Sequence, residues 1–135
     1  MTTTSDLGTG TLKEIGLAEL GKQIVRNSKP GADRAAAQAL VEEGSIFAQP
    51  NVRAALLIDT PKGAACWWEG LSGRVYTLGL DQEQRDFLSL VLSLVGIGIV
   101  TIAAAQDLDE RRLGIIVRAI LQMAGNDTLA VGTRL

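Results

Sequence analysis

The residues able to do chemistry are few, and the carboxylates are the most closely grouped of them. Asp81, Glu83 and Asp86 form one group; Asp107, Asp109 and Glu110 form another. Pairs spaced like these serve carboxylate-catalysed hydrolysis or an oxygen-lined Mg²⁺ site. Each group also opens a predicted helix, where acids are favoured by the helix dipole whatever the protein does. Helix-start chemistry therefore accounts for them. Arg111, Arg112 and Arg118 carry the charge needed to grip a phosphate or an acidic partner, but three acids beside them largely cancel that patch.

The remaining chemical motifs are weaker. Gly16-Leu17-Ala18-Glu19-Leu20-Gly21-Lys22-Gln23 has the glycine and lysine spacing of a phosphate loop. It puts Gln23 where a Ser or Thr must hold magnesium, and no strand precedes it. Gly96-Ile97-Gly98 lacks the third glycine of a dinucleotide fingerprint. Asn126-Asp127-Thr128 fits a glycosylation acceptor, but Met1–Gly10 lacks the basic start and apolar run of a secretory leader. Cys66 is the sole cysteine and histidine is absent. That excludes Ser-His-Asp and Cys-His catalysis, a Cys/His zinc cage and an internal disulfide. Inside an apolar strand, Cys66 reads as a small buried hydrophobe. The expectation is no enzyme, no cofactor and no metal.

The bulk properties agree with a globular chain. At 135 residues the length fits one domain, and 47% hydrophobic residues argue against disorder. Thirteen basic against fifteen acidic residues leave a net charge of −2. No nucleic-acid partner is expected from that balance, with few aromatics to stack on bases.

The elements that must position these residues follow from periodicity and punctuation. Residues 1–10 form a polar tail. Thr11 and Glu14 make a capping box for a helix reaching Asn27. Ser28-Lys29-Pro30-Gly31 breaks the chain, and a second helix follows over Ala32–Glu43, stopped by Gly44. Gln49-Pro50-Asn51 marks a turn. Three strand candidates come next: Val52–Asp59, Ala64–Glu69 and Arg74–Leu80. Four-residue loops join them into an antiparallel meander, pairing Asp59 with Ala64 and Glu69 with Arg74. Alternation then sets Trp67 on the core face between Leu56 and Tyr76. The opposite face carries Trp68, Leu57, Cys66 and Val75, which either helices cover or a partner meets.

Asp81 and Gln84 form another capping pair, opening a helix through the uncharged run Phe87–Ala105. That run would measure about 28 Å as a helix, near the thickness of a bilayer core. Its alanine-rich end, Gly96 and Gly98, and the lack of flanking Trp or Tyr favour a buried core helix over a span. Asp107 and Glu110 cap the last helix, Leu108–Ala124, with Leu113, Ile116, Val117, Ile120, Leu121 and Ala124 as its apolar stripe and Gly125-Asn126 as its stop.

The sequence thus predicts an α+β fold: two N-terminal helices, a three-stranded antiparallel meander and a C-terminal helical hairpin with a very apolar first helix. The domain spans 11–125, with 126–135 as a tail. Its expected role is a cytoplasmic, non-catalytic interaction or adaptor module that binds a protein partner or itself as a homo-oligomer. Trp68, Leu57, Val75, Arg111 and Arg118 are the interface candidates. The alternatives are a membrane-associated protein anchored by a span at 87–105, and a ligand-binding or enzymatic domain built on carboxylates and arginines.

Overall fold

Extended backbone at Gly16 gives way to helical spacing from Leu17 onward. A computed structural model describes residues 15–132 and Arg134; the Thr11–Glu14 capping box and the 1–10 tail lie outside the described residues. Helix α1 (Leu17–Arg26) buries Leu20 and Ile24. Helix α2 (Ala32–Glu43) buries Ala35, Ala36, Ala39 and Leu40, and ends as expected at Gly44 with φ 84°. Alanine's short side chain lets neighbours approach closely, and α1, α4 (Gln82–Leu94) and α5 (Glu110–Met123) all pack on α2.

The first strand candidate is mostly helix. Pro50 takes the first position of α3 (Pro50–Leu56), where its missing N–H costs nothing. Val52 and Leu56 are buried at helical i, i+4 spacing, a pattern that short apolar runs share with strands. Only Leu57–Thr60 forms strand β1, which pairs antiparallel with β2 (Gly63–Cys66). The register joins Asp59 to Ala64, as the turn at Thr60–Gly63 predicted.

The fold is mixed helix and strand with a two-stranded sheet, so the expected third strand is corrected. Its place on the free edge of β2 is occupied by α1. Ala64 N donates to Gln23 Oε1 at 2.8 Å, and Ala64 O accepts from Asn27 Nδ2 at 2.8 Å. After Cys66 the chain instead forms a 3₁₀ turn over Trp68–Leu71 and a second over Val75–Thr77, and no Glu69–Arg74 cross-strand pair arises. Gly70 is required there, because a Cβ would lie 1.9 Å from the carbonyl oxygen of Ala55. The two tryptophans consequently exchange their expected places. Trp68 enters the core at 6% exposure, whereas Trp67 is 52% exposed.

The long apolar helix is also corrected. Helix α4 begins at the expected Asp81–Gln84 capping box but stops at Leu94. Residues 95–101 are non-helical, and Ile102–Asp107 forms a 3₁₀ segment. Among the described residues no helix is long and apolar enough to cross a membrane. Helix α5 opens on Asp109, whose side chain accepts from Arg112 N, rather than on an Asp107–Glu110 pair. It buries Ile115, Ile116 and Ala119, while Leu113 is exposed. Arg112, Ile115, Ile116 and Ala119 share one helical face. Of the expected stripe, Ile116 lies on that inward face and Ile120 packs against the core, whereas Leu113 turns outward.

Candidate functional site

The early end of α4 builds the most exposed apolar feature among the described residues. Gly96 N donates to Ser93 O at 3.2 Å and Ile97 N donates to Leu92 O at 2.9 Å. These two bonds, with Gly96 at φ 77°, make a Schellman stop. Such stops bring together the side chains flanking the glycine, and Leu92 and Ile97 line one groove. Beyond it the chain alternates: Ile97 and Val100 pack against the core, while Ile99 is fully exposed and Ile102 largely so.

The opposite wall of the groove comes from the Val75–Thr77 turn. Thr77 N bonds Arg74 O at 2.8 Å, and Thr77 Oγ1 donates to the same carbonyl at 2.9 Å. Tyr76, 80% exposed, stands at the rim with the Arg85 guanidinium 5.0 Å from its ring centroid. Arg85 is itself tied to Leu80 O at 2.7 Å and Gln82 Oε1 at 2.8 Å, so the cation–π contact holds a pre-positioned ring. Between the walls lies a cavity of about 220 Å³ floored by Val75, Leu92, Ile97 and Val100, and no ionisable acid or base lines it apart from the Tyr76 phenol.

The sequence-predicted interface residues are dispersed. Val75 lines this groove. Leu57 lines a separate open groove of about 680 Å³ with Leu17, Pro50 and Ala54. Trp68 is buried, and so offers no free surface. Arg111 and Arg118 border a depression of about 570 Å³ on the outer side of α5, together with Leu113 and Val117. Both arginines already have partners. Arg111 Nη2 donates to the carbonyls of Glu42 and Glu43 at 2.7 and 2.9 Å, satisfying the end of α2. Arg118 pairs with Glu42 at 2.7 Å.

Arg112, grouped in the sequence with Arg111 and Arg118 as a charge patch, is instead the most deeply committed of the three. Arg112 Nε meets Glu43 Oε2 at 2.9 Å, and its Nη1 reaches Asp109 at 3.0 Å and Glu83 at 3.5 Å. Glu43, whose side chain has no exposed surface, also accepts from Ile46 N at 2.9 Å and from Ser45 Oγ. Gln84 Nε2 then donates to Ser45 Oγ at 3.0 Å, linking the network to the α4 capping box. Burial opposes the Arg112 charge, but Glu43, Asp109 and Glu83 outweigh it and hold the guanidinium above its ordinary pKa. A signal was present in the sequence. Glu42 and Glu43 stand at the C-terminal end of a helix, where the dipole disfavours acids and a cation from elsewhere is needed.

The other chemical candidates acquire structural roles. Asp81 and Asp109 are helix caps, and Asp86 Oδ1 accepts from Gln82 Nε2 at 2.9 Å. Among the described residues no group of three or more His, Cys, Asp or Glu could hold a metal ion. The segment resembling a phosphate loop lies on α1 and its cap, with Gly21 against Val41 and Gln23 on the sheet edge. Burial, with a smaller contribution from Asp33, pushes the Cys66 thiol up to about 12, far from a reactive thiolate. No family model matches the chain, and neither a curated protein nor a solved structure matches it.

Proposed function

We propose that the protein is a non-catalytic interaction or adaptor module, working through the face formed by Val75, Tyr76 and the Gly96–Ile102 loop. One observation carries the reading: Tyr76 and Ile99 project from adjacent walls of an apolar groove whose lining bears no acid or base besides the Tyr76 phenol. Exposed aliphatic groups are common singly, but an aromatic and an aliphatic projection beside a groove free of charged side chains have the composition of an interface centre. Arg85 fixes the ring and the Schellman stop fixes the loop. Less side-chain and backbone freedom is therefore lost on binding.

The arginines are engaged within the chain, which favours this surface over one built on charge. A photo-crosslinking amino acid at position 99, introduced in the native cell, tests the reading. The expected result is a discrete protein adduct at position 99 and none at position 128 on the C-terminal segment. Adducts at both positions alike, or none at 99, would contradict it.

A further inference from the structure

We propose that the open cavity beside the end of α1 binds a small phosphate monoester, gripped by Arg26 and Lys62. The site shares no lining residue with the Tyr76 groove and does not depend on it. Its volume is about 500 Å³, inside the range of about 300–1,000 Å³ usual for small-ligand sites. Arg26, Asn27, Thr60, Lys62 and Ala65 line it, so the walls hold two cations and no acid.

The contacts that build these walls also place the cations before a ligand arrives. Asn27 Nδ2 donates to Lys62 O at 3.2 Å and to Ala64 O at 2.8 Å, fixing the β1–β2 turn against α1. Arg26 Nη2 donates to the same Lys62 carbonyl at 3.2 Å. Thr60 Oγ1 donates to Gly63 O at 2.7 Å and accepts from Lys62 N at 3.1 Å, which holds the turn carrying Lys62. Arg26 keeps the rest of its fork, a geometry suited to two phosphate oxygens, and Lys62 adds a compact charge. A bare phosphate would leave most of the cavity to water, so the class is a monoester with a short organic group lying toward Ala65.

The positive charge is uncompensated. Among the described residues the ion pairs involve only Arg112 and Arg118. Lys22 stands one turn before Arg26, and Lys29 and Arg34 follow the end of α1, adding to the positive field. Of the acids in this region, Glu19 accepts from Gln23 Nε2 at 3.3 Å, and Asp33 lies in the first turn of α2. Asp59 alternates to the sheet face opposite Thr60. A helix C-terminus ordinarily repels an anion. Here its carbonyls are covered: Ile24 O by Ser28 Oγ at 2.6 Å, and Val25 O by Ser28 N and Arg34 Nε, each at 3.2 Å.

Amide NMR of the full chain, titrated with glycerol 3-phosphate to about 20 mM at constant ionic strength, tests the proposal. The expected result is saturable shifts at Asn27 and Lys62–Ala65, with a Kd on the order of 0.1–5 mM. Arg26→Gln and Lys62→Gln should each weaken binding about threefold to tenfold. Both variants should keep the fold, because Asn27 still holds the Lys62 carbonyl. Shifts without saturation overturn the proposal, as do equal shifts from sodium chloride at matched ionic strength, which would mean an adventitious ion only. Binding that survives in the double variant overturns it too. So does a chain that glycerol 3-phosphate leaves unchanged but that pellets with phosphatidic acid vesicles, since the same phosphomonoester would then be met on a membrane. Ile99→Asp should leave the titration unchanged, so this site and the Tyr76 groove stand or fall separately.

Discussion

A carboxylate stripped of water needs partners for its lone pairs, and Glu43 takes them from Arg112, Ser45 and the Ile46 amide. Glu43→Ala leaves a mostly buried guanidinium short of its Nε partner and a bare backbone N–H. The expected cost is about 3–5 kcal/mol in urea unfolding, and replacing both members with Glu43→Leu and Arg112→Met should recover much of it. A loss below about 1 kcal/mol from Glu43→Ala would mean that the network is solvated in solution. Cys66 gives a pH prediction. Its thiol is raised from the ordinary 9.0 to about 12 in the folded chain, so the unfolded chain loses this proton first. The resulting stability is fully present below about pH 9 and is lost as pH climbs toward 12. Alkaline destabilisation should accordingly be steeper for the parent than for Cys66→Ala. Equal slopes in chemical denaturation would show that the thiol is not buried as described.

Among the elements, local signals were legible where a single residue type decides the geometry. Gly44 and Gly125 end their helices as expected, Asp81 opens α4, and the Thr60–Gly63 turn set the Asp59–Ala64 register. The errors arose where two periods fit the same letters or where a distant element intervened. Val52, Ala54 and Leu56 suit a strand and a helix alike, and Pro50 reads as a turn residue or as the first residue of a helix. The meander failed through a contact between residues far apart in sequence, since Gln23 and Asn27 occupy the edge a third strand needs. Gln23→Leu should leave the Ala64 N–H unsatisfied and destabilise by about 1–3 kcal/mol, with the Ala64 amide losing hydrogen-exchange protection. Gly70→Ala should cost about 3 kcal/mol or more, because the new methyl meets the backbone oxygen of Ala55 rather than a movable side chain. A neutral result at Gly70, read by thermal unfolding, would place the Trp68–Leu71 turn elsewhere. The groove itself was partly legible. Gly96 and Gly98 mark the interruption of the apolar run, whereas the pairing of its two walls depends on tertiary packing.

Across the whole molecule, apolar content is divided between a core shared by all the helices and a surface share displayed at Tyr76, Ile99 and Ile102. The uncharged run Phe87–Ala105 supplies both: Phe87, Leu88 and Val91 are fully buried, and Ile99 and Ile102, past the Schellman stop, reach solvent. A continuous helix would have hidden or embedded that whole run, but the break at Gly96 converts its second half into a presented loop. The central claim is that this loop and the Tyr76 turn form the working surface. Hydrogen–deuterium exchange resolved by peptide, compared between the purified chain and the same chain in extract of its native cells, addresses it most directly. The account predicts slower exchange in extract confined to Ser72–Thr77 and Gly96–Ile102, and its loss in Ile99→Asp. Exchange there that the extract leaves unchanged, or protection that develops instead on the outer side of α5 around Leu113, would contradict it.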